Sequence, residues 1–462
     1  MQIHLIAIGG AAMHNLAIAL HKQGHSVTGS DDEIYNPAHD RLTAAGLLPE
    51  SSGWFPDRIH SGLDMVILGM HARADNPELA RALALKLPVM SYPEFVFEHA
   101  RNKQRLVVAG SHGKTTTTAM IMHAMKKQGL HFDYLVGAQL EGFDTMVSLT
   151  DAPVMVIEGD EYLSSPLDPR PKMVHYHPHA AAITGIAWDH INVFPAFEDY
   201  LRAFGQFIQA MEPGAPLFHP AQDANLDTVL SVYCGEWMPA RPVAFSPYVG
   251  AVHNGITHIA RAGMPDLALR IFGTHNLFNA RAAALLCGEA GLAEDAFLEA
   301  LASFSGAGRR LQALVAETDR AAWLDFAHAP SKVAATTAAV KAQYPERRLI
   351  AGVELHTFSS LNRAFLPQYA GSLLAADQAF VFFSPETLSA KKMPPLDPDF
   401  IRNCFAYPGL QVFTTAEALD HWLSEQGWSN KNLLLMSSGR FGGWEAALRT
   451  PEILGERDRQ VK

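Results

Sequence analysis

One segment, residues 106–129, restricts the possible folds of this chain more than any other. The apolar run Leu106–Ala109 predicts a buried strand, and Gly110–Thr116 (GSHGKTT) joins it to a helical pattern. A glycine-rich loop between a strand and a helix N-terminus lets backbone N–H groups surround phosphate oxygens. In such a loop Lys114 reaches the outer phosphates, and the Thr115 hydroxyl can ligate Mg²⁺. The segment therefore predicts an α/β domain that binds a nucleoside triphosphate.

The loop is a variant of the strict phosphate-binding pattern, which has a glycine where this chain has Val108. The alternative interpretation is a glycine turn with an incidental lysine. The position of the loop between a strand and a helix favours phosphate binding over this alternative.

Three carboxylates follow the next strongly apolar strand, Val154–Ile157. They are Glu158, Asp160 and Glu161. In a doubly wound sheet the carboxyl ends of the strands face the ligand crevice, and carboxylates beside a nucleotide phosphate usually hold Mg²⁺. A solvated acidic turn is the alternative, but the neighbouring phosphate-binding loop favours a metal site.

Strand and helix patterns alternate along the whole chain and predict an α/β protein of three consecutive domains with largely parallel sheets. Residues 1–102 form a Rossmann-like domain, and the polar stretch Glu98–Arg105 is the predicted linker that follows it. Residues 103–305 form the central P-loop domain. Residues 306–462 form a second Rossmann-like domain after a break at Ser305–Gly308. Its strands are predicted at Ala322–Phe326, Arg348–Val353, Gln378–Phe383 and Leu433–Met436.

Composition excludes several other classes of protein. The chain has 36 Lys+Arg against 47 Asp+Glu and no long basic run, which argues against nucleic acid as a partner. Its 3 cysteines are too few and too scattered for a disulfide framework or a cysteine-type zinc site. No targeting signal opens the chain, and no uncharged apolar stretch reaches the roughly 20 residues of a membrane span. We expect a soluble cytoplasmic protein, a monomer or a homodimer.

Four further segments place polar side chains where a predicted strand or helix begins or ends. They are Asp189 with His190, Gly273–Asn279, Arg309 with Arg310, and Asp325–Pro330. An Asp-His dipeptide is compatible with a surface pair or a helix cap as well as with a site. Asn276 and Asn279 can lie on one helix face and read a nucleobase edge, or they can simply cap the helix. Arginine at a domain boundary can pair with phosphate across a cleft.

The N-terminal turn Gly9–Met13 (GGAAM) lacks the third glycine of a dinucleotide-binding fingerprint. A nicotinamide-dependent oxidoreductase is therefore poorly supported, although it stays open as a different class of function. A close approach of the backbone to a diphosphate, at the N-terminus of the following helix, is the better interpretation.

Taken together, in this order and spacing, these motifs resemble those of the Mur ligases, the ATP-dependent amide-bond ligases of peptidoglycan synthesis. The resemblance spans nearly all 462 residues. It implies an N-terminal UDP-binding domain, a central ATPase domain, and a C-terminal domain that closes on ATP and binds the amine substrate. ATP and Mg²⁺ are the implied cofactors. In the implied reaction ATP phosphorylates a carboxylate of a UDP-sugar, and an amine attacks the acyl phosphate and releases phosphate.

The resemblance assigns roles to the central motifs. The loop residues that hold ATP are Gly110, His112, Gly113, Lys114, Thr115 and Thr116. Lys114 is implied to stabilise the transferring phosphoryl group. Thr115 and Glu158 are implied to bind Mg²⁺, and His190 a second Mg²⁺ or the acyl phosphate. The positive charge is needed where two anions, the γ-phosphate and the carboxylate, must meet.

The remaining motifs are implied to contact the other parts of the substrates. The adenine contacts are His275, Asn276 and Asn279; Arg310 meets the γ-phosphate, Asp325 the ribose, and His328 is the adjacent catalytic histidine. The UDP-sugar residues are Gly9, Gly10, Ala11, Met13, Ser30 and Asp31. The UDP-sugar itself is implied to be UDP-N-acetylmuramate.

Two branches of the family differ in the amine, which is either L-alanine or the tripeptide L-alanyl-γ-D-glutamyl-meso-diaminopimelate. Tyr162 and the segment Val174–Pro178 (VHYHP) resemble the tripeptide branch, which acts in peptidoglycan recycling. The loop 354–362 matches the pattern of neither branch. His356 and Phe358 in this loop, together with Glu161, are the predicted amine contacts, with buried packing as the alternative for the first two. A non-catalytic nucleotide-binding protein is a further alternative, against which Lys114 and the other intact motifs argue.

Overall fold

The computed structural model describes residues 1–191, 193–234, 238–261 and 263–455. The described residues form two compact units. The first consists of Met1–Ile186, Phe197–Ser246 and Ala280–Leu301. The second consists of Ala187–Ala196, Pro247–Asn279 and the described part of Ala302–Lys462.

The first sheet of the first unit has four parallel strands in the order β2-β1-β3-β4. They are β1 (Gln2–Ile6), β2 (Ser26–Ser30), β3 (Met65–Leu68) and β4 (Val89–Ser91). Gly10 precedes the first helix, Ala11–Lys22, whose inner face buries Met13, Leu16 and Leu20 against the sheet. The strand, glycine turn, helix and strand predicted at the N-terminus are confirmed.

The second sheet of the first unit has seven strands in the order β11-β10-β9-β5-β8-β6-β7. They are β5 (Gln104–Ala109), β6 (Phe132–Leu135), β7 (Val147–Ser148), β8 (Val154–Glu158), β9 (Ala180–Ile183), β10 (Pro216–Pro220) and β11 (Arg241–Phe245). All neighbours are parallel except β6 and β7. The central strands β5, β8 and β9 are buried on both faces, which explains their continuous apolar sequences.

The predicted linker Glu98–Arg105 is much shorter in the structure, and the prediction of its length was wrong. A helix, Tyr92–Ala100, covers its beginning, and β5 starts at Gln104. Arg105 is only 2% exposed, and its guanidinium donates to the carbonyls of Ala100 (3.1 Å) and Arg101 (2.8 Å). Because a buried arginine with satisfied donors resembles a surface arginine in sequence, the pattern was misleading.

A small antiparallel sheet in the second unit was not predicted. Its strands β12 (Gly250–His253), β13 (Ile256–Arg261) and β14 (Met264–Leu269) pair in sequential order. Most of its side chains are at least partly exposed, so the alternation of apolar and polar residues that marks a half-buried strand is weak here. Residues 247–279 fall in the predicted second domain but belong to the second compact unit.

The main sheet of the second unit has six strands in the order β15-β16-β20-β17-β18-β19. They are β15 (Gln312–Ala316), β16 (Ala321–Asp325), β17 (Arg348–Leu355), β18 (Gln378–Phe383), β19 (Gln411–Phe413) and β20 (Lys431–Met436). Only β15 runs antiparallel to its neighbour. Alternate residues face two separate cores, with Val353 and Val381 in one and Ile350 and Phe380 in the other.

The helices connect these strands and cover the parallel sheets. They are α1 (Ala11–Lys22), α2 (Ala38–Ala44), α3 (Pro77–Ala84), α4 (Tyr92–Ala100), α5 (Lys114–Lys127), α6 (Phe197–Gln209), α7 (Ala224–Thr228), α8 (Thr274–Glu289), α9 (Glu294–Leu301), α10 (Pro330–Gln343), α11 (Pro385–Ala390), α12 (Pro398–Phe405), α13 (Ala416–Ser424) and α14 (Ala446–Gly455). In the described parts of the chain, none of them has both the length and the apolar character that crossing a membrane requires.

The predicted fold class, α/β with largely parallel sheets, is confirmed. Each of the three predicted domain ranges contains one mainly parallel sheet, within residues 2–91, 104–245 and 312–436. The domain limits at 102 and 305 stay predictions, and residues 456–462 of the third range lie outside the described residues.

Candidate active site

The glycine-rich loop lies in the first unit at the carboxyl end of β5, directly before α5. Gly110 (φ +128°) and Gly113 (φ +75°) have backbone conformations that favour glycine. A Cβ atom on Gly110 would lie 2.5 Å from Thr184 Oγ1, at the end of the neighbouring strand β9. The Ser111 N–H donates to the Gly185 carbonyl (2.9 Å). The loop is therefore packed tightly against the adjacent strand end, with the N-terminus of a 14-residue helix behind it.

Lys114 is the first residue of α5 and is held by two strong contacts. Its Nζ donates to the Gly110 carbonyl (2.6 Å) and to Glu161 Oε2 (2.6 Å). The other oxygen of Glu161 accepts from the Tyr200 hydroxyl (3.2 Å). Burial alone disfavours the charged lysine, but the carboxylates of Glu161 and Asp160 outweigh it and raise the pKa of Lys114. The loop thus carries a fixed cation.

Glu161, predicted to contact the amine substrate, is fully buried in this arrangement. Its carboxylate is engaged by Lys114 and Tyr200, whereas the other predicted amine contacts, His356 and Phe358, belong to the second unit. In the structure Glu161 orients the lysine of the loop. The amine role of Glu161 stays a prediction.

Thr115 and Glu158, the predicted Mg²⁺ ligands of the first unit, are brought together. Thr115 Oγ1 donates to Glu158 Oε1 (2.8 Å), and the Gly137 N–H donates to Glu158 Oε2 (2.7 Å). A hydroxyl and a carboxylate are hard oxygen ligands of the type that Mg²⁺ takes beside nucleotide phosphates. The donor set therefore fits Mg²⁺. The third predicted ligand, His190, belongs to the second unit.

The two other loop residues with predicted ATP contacts are arranged differently. The His112 carbonyl accepts a hydrogen bond from the Thr184 hydroxyl, while its imidazole is partly exposed. Thr116 is buried, with 7% exposure. His112 is thus fixed by its backbone.

Asp189 and His190 follow strand β9 in sequence and lie in the second unit. Asp189 is 2% exposed, and its Oδ1 accepts from the His190 N–H (2.8 Å). Its Oδ2 lies 3.2 Å from Lys332 Nζ. Burial tends to raise the pKa of Asp189, but the charge of Lys332, with a further contribution from the His190 N–H, lowers it far below its usual range. The aspartate is an ionised carboxylate.

His328, predicted as a site histidine, is buried near the same ion pair. Its Nδ1 lies 2.8 Å from the Phe326 carbonyl, and its own carbonyl accepts from the Tyr369 hydroxyl. Burial, reinforced by the positive charge of Lys332, lowers the pKa of His328 to about 4. His328 is therefore neutral near pH 7.

Asp325 ends β16, and both of its carboxylate oxygens are bound by the backbone. Oδ2 accepts from the Leu311 N–H (2.7 Å) and Oδ1 from the Ala327 N–H (2.7 Å). The Leu311 contact ties the preceding arginine pair to this strand end. The Arg310 guanidinium lies over the Phe326 ring, with its Cζ 4.3 Å from the centroid. The structure thus brings together Arg310 and Asp325, the predicted contacts of the γ-phosphate and the ribose.

The predicted adenine contacts lie at the start of α8. The amide of Asn279 donates to Asn276 Oδ1 (3.4 Å), and the amide of Asn276 donates to the Phe272 carbonyl (2.9 Å). The two asparagines share one helix face, as their spacing predicts. Burial lowers the pKa of His275, against the opposing charge of Asp325. The contact with Phe272 is not an N-cap, because the Asn276 amide donates to a carbonyl and does not accept from an N–H of the first helical turn.

At the N-terminus the glycine turn is tied to the end of β2. The Gly9 N–H donates to Asp31 Oδ2 (2.7 Å), and a Cβ on Gly9 would lie 2.9 Å from that oxygen. Burial and the neighbouring Asp32 raise the pKa of Asp31 to about 6. Ser30 is fully buried and Met13 is 4% exposed, whereas Ala11 is exposed. Of the predicted UDP-sugar residues, Gly9, Gly10 and Ala11 therefore lie on the accessible side of the turn, whereas Asp31, Ser30 and Met13 are buried.

The loop after β17 carries the remaining predicted amine contacts. Phe358 is 46% exposed, with Lys391 Nζ 4.4 Å from its ring centroid, so buried packing does not explain this residue. His356 Nδ1 lies 3.7 Å from Glu354 Oε1 and has no hydrogen-bond partner among the described residues. Ser438 Oγ and Arg309 Nε are also buried without a partner in the described part of the chain. Such polar atoms are suited to a polar ligand.

Sequence reasoning missed two residues that hold this machinery in place. Tyr200 binds Glu161, and Lys332 binds Asp189. Neither belongs to a recognisable motif. Their partners are 39 and 143 residues away in the chain, so only the tertiary structure reveals the contacts.

Comparison with known families agrees with these motifs. Residues 2–104 match the family described as "Mur ligase family, catalytic domain". Residues 108–287 match the family described as "Mur ligase middle domain". The two matches adjoin near the predicted end of the first domain.

Curated relatives extend the similarity over the whole chain. A UDP-N-acetylmuramate–L-alanyl-γ-D-glutamyl-meso-2,6-diaminoheptandioate ligase of Haemophilus influenzae is 27% identical over 457 residues, 96% of this chain and 97% of the relative. A UDP-N-acetylmuramate–L-alanine ligase of a Psychrobacter species is 32% identical over 373 residues, 77% of this chain and 75% of the relative.

A solved structure has the same fold. The crystal structure of a murein peptide ligase from Psychrobacter arcticus superposes with a TM-score of 0.66 at 24% identity, covering 98% of this chain and 99% of that one.

Proposed function

The chain belongs to the Mur ligase family, and from this premise we propose that it is an ATP-dependent ligase that joins UDP-N-acetylmuramate to the tripeptide L-alanyl-γ-D-glutamyl-meso-diaminopimelate. Members of the family couple ATP hydrolysis to the formation of carbon–nitrogen bonds. The observation that carries the choice of tripeptide is the similarity to the Haemophilus influenzae tripeptide ligase over 96% of this chain and 97% of that protein.

In this proposal the loop of the first unit binds the ATP phosphates. The contact of Lys114 with Glu161 supports it, because a lysine fixed at a helix N-terminus can stabilise the transferring phosphoryl group. Thr115 and Glu158 would hold Mg²⁺, which when bound neutralises charge on the phosphate oxygens. His190 is proposed to bind a second Mg²⁺ or the acyl phosphate.

The second unit is proposed to supply further ATP contacts. Arg310 would meet the γ-phosphate, and the stacking of its guanidinium on Phe326 supports a fixed orientation. Asp325 would contact the ribose, with His275, Asn276 and Asn279 at the adenine. His328 is a neutral imidazole at neutral pH, so it can accept a proton beside the reacting centre.

The UDP-sugar is proposed to bind at the turn before α1. The N-terminus of a 12-residue helix and the close glycine turn support a diphosphate there. Asp31, whose carboxylate already accepts from the Gly9 N–H, would lie near the uridine or ribose. Ser30 would act through the backbone of this turn, because its side chain is fully buried.

The amine substrate is proposed to bind beside His356 and Phe358. The partnerless polar atoms of His356 and Ser438 support a polar ligand, and the cations Lys391 and Arg309 that act on His356 favour one that carries carboxylates. The tripeptide has several carboxylates and L-alanine has one. The proposal keeps the domain limits at residues 102 and 305. It also places the protein in the cytoplasm, because ATP and UDP-sugars occur there.

L-Alanine is the second candidate for the amine, because the Psychrobacter L-alanine ligase is 32% identical to this chain. The test is to incubate the protein with ATP, Mg²⁺ and UDP-N-acetylmuramate and to measure phosphate release with the tripeptide and with L-alanine in separate reactions. Release with the tripeptide alone supports the proposal. Release with L-alanine alone would overturn the tripeptide assignment, and release with neither would overturn the ligase activity on this sugar.

A further inference from the structure

His190 has a backbone conformation that only specific contacts can maintain. Its φ angle is +57°, in the left-handed region that non-glycine residues rarely adopt. Such conformations persist where the surrounding structure fixes them, and they concentrate at functional sites. The question is therefore which groups fix the backbone at His190.

Hydrogen bonds between described residues hold the backbone around His190. The His190 N–H donates to Asp189 Oδ1 (2.8 Å), and the His190 carbonyl accepts from the Val193 N–H (2.8 Å) and the Phe194 N–H (2.9 Å). The next residue is tied to the loop after β17, because the Ile191 N–H donates to Ser359 Oγ (3.3 Å). Of these acceptors, only Asp189 carries a charge.

Lys332 contacts the other carboxylate oxygen of Asp189. The side chain of Asp189 is 3% exposed, and Lys332, the third residue of α10, has its Nζ 3.2 Å from Asp189 Oδ2. Among the described residues, the imidazole of His190 also lies near this carboxylate, with its Nδ1 3.8 Å from Asp189 Oδ1. A carboxylate this deeply buried is unfavourable without a counter-charge.

We propose that Lys332 is a positioning residue for the ligase reaction: by neutralising Asp189 in its buried place, it keeps the carboxylate on the His190 N–H and thereby presents the His190 imidazole in its working orientation. This inference rests on the proposed function, in which His190 acts at the reacting centre. Without Lys332 the carboxylate of Asp189 turns toward solvent, the His190 N–H loses its acceptor, and the left-handed backbone relaxes.

The test compares two substitutions on one helix. Lys332→Met removes the buried ion pair, and Lys341→Met removes the ion pair of Lys341 with Asp377, 2.9 Å long and about one third exposed at both ends. We expect Lys332→Met to lower kcat about 100-fold, the cost of a small misplacement of a reacting group, with KM values for ATP, the UDP-sugar and the amine nearly unchanged. Lys341→Met keeps kcat within about twofold. Lys332→Arg keeps the charge and restores most of kcat.

A readout other than activity separates this inference from the proposed function. In protein labelled with ¹⁵N-histidine, the backbone amide signal of His190 is assigned by its disappearance in His190→Gln. We expect Lys332→Met to shift this signal and Lys341→Met to leave it in place, with both variants folded by circular dichroism. An unshifted signal, or kcat of Lys332→Met within about twofold of wild type, would overturn the inference. If the wild-type protein is inactive but Lys332→Met still shifts the His190 amide signal, the proposed function is refuted and the positioning role of Lys332 is not.

If Lys332→Met does not fold, the double variant Asp189→Asn with Lys332→Met replaces it, because it removes both buried charges at once. Its expected kcat is close to that of Asp189→Asn alone, since the lysine acts through the aspartate. A further drop of about tenfold in the double variant would show that Lys332 has a separate role and would overturn the inference.

Discussion

Two buried lysine–carboxylate pairs, one in each unit, contain the same chemical groups but have different roles. Lys114 Nζ lies 2.6 Å from Glu161 Oε2, and Lys332 Nζ lies 3.2 Å from Asp189 Oδ2. In both pairs the carboxylate is the more buried partner. The side chains of Glu161 and Asp189 are 0% and 3% exposed, against 14% and 22% for the two lysines.

The difference lies in what the second carboxylate oxygen binds. In Glu161 it accepts from the side chain of Tyr200, so the carboxylate is itself fixed and orients the lysine. In Asp189 it accepts from the N–H of the next residue, so the carboxylate fixes a backbone and the lysine serves as its counter-charge. The same type of ion pair therefore has two roles. The pair of Lys114 and Glu161 holds a cation in place, and the pair of Lys332 and Asp189 fixes the backbone of a loop.

The largest expected effect is at the first pair. Lys114→Ala is expected to lower kcat/KM at least about 1,000-fold, because it removes the cation that meets the transferring phosphoryl group. Lys114→Arg is expected to stay inactive, since a planar guanidinium does not fit the place of a compact ammonium. Phosphate release in the complete reaction measures both.

Lys127→Ala, at the exposed last turn of the same helix, is the control and is expected to retain full activity. Rescue by arginine should occur at position 332 and fail at position 114. Equal rescue at both positions would contradict the distinction between a lysine that acts on substrate and one that acts through a neighbour.

The second effect is a pH dependence at His328, which is buried near the second pair. Burial and the charge of Lys332 lower the pKa of His328 to about 4, and an unfolded histidine titrates near 6.5. Between these values the unfolded chain binds a proton that the folded protein does not. The contribution of His328 to stability is therefore complete above about pH 7 and is lost as the pH falls toward 4, by about 3 kcal/mol in total.

Urea unfolding of the wild type and of His328→Asn at pH 7.5 and pH 4.5 measures this contribution, because the titration of other groups cancels between the two proteins. The wild type should lose about 2 to 3 kcal/mol more than the variant. Lys332→Met should reduce that difference, since removing the neighbouring cation raises the pKa of His328. An identical loss in wild type and His328→Asn would show that His328 titrates normally in the folded protein.

The smallest expected effect concerns the neighbour of Lys114. Thr115→Ala removes a proposed Mg²⁺ ligand that touches Glu158, and we expect the Mg²⁺ concentration for half-maximal rate to rise about tenfold. The measurement is a Mg²⁺ titration of the initial rate. Thr117→Ala is the matched control, because its buried hydroxyl has no hydrogen-bond partner among the described residues. An equal Mg²⁺ requirement in both variants would remove Thr115 from the proposed site.

The surroundings of Lys114 could largely be predicted from the sequence, although its pairing with Glu161 could not, and little of the second pair could be predicted. The loop that carries Lys114 is contiguous, and Glu158 follows a strand next to it in a parallel sheet, so local pattern and sheet geometry were sufficient. Asp189 and His190 were recognised as a dipeptide, but their support comes from Lys332, 143 residues later. That contact depends on the packing of α10, which no local pattern encodes.

Other differences have the same physical origin. Arg105 was misread as part of a linker because the carbonyls that satisfy it are brought there only by folding. Ser30 and Met13 stand in a recognisable turn, yet their side chains face the interior, since orientation around a helix start depends on the sheet beneath it. The weakly patterned strands β12–β14 were missed because exposed strands have little periodicity.

The most direct test of the central claim is a competition between the two amines. The protein is given ATP, Mg²⁺, limiting UDP-N-acetylmuramate and equal concentrations of the tripeptide and L-alanine, and the products are identified by mass spectrometry. We predict that the tripeptide product exceeds the L-alanine product at least about tenfold, which corresponds to a difference of about 1.4 kcal/mol in transition-state binding. A predominance of the L-alanine product would contradict the account.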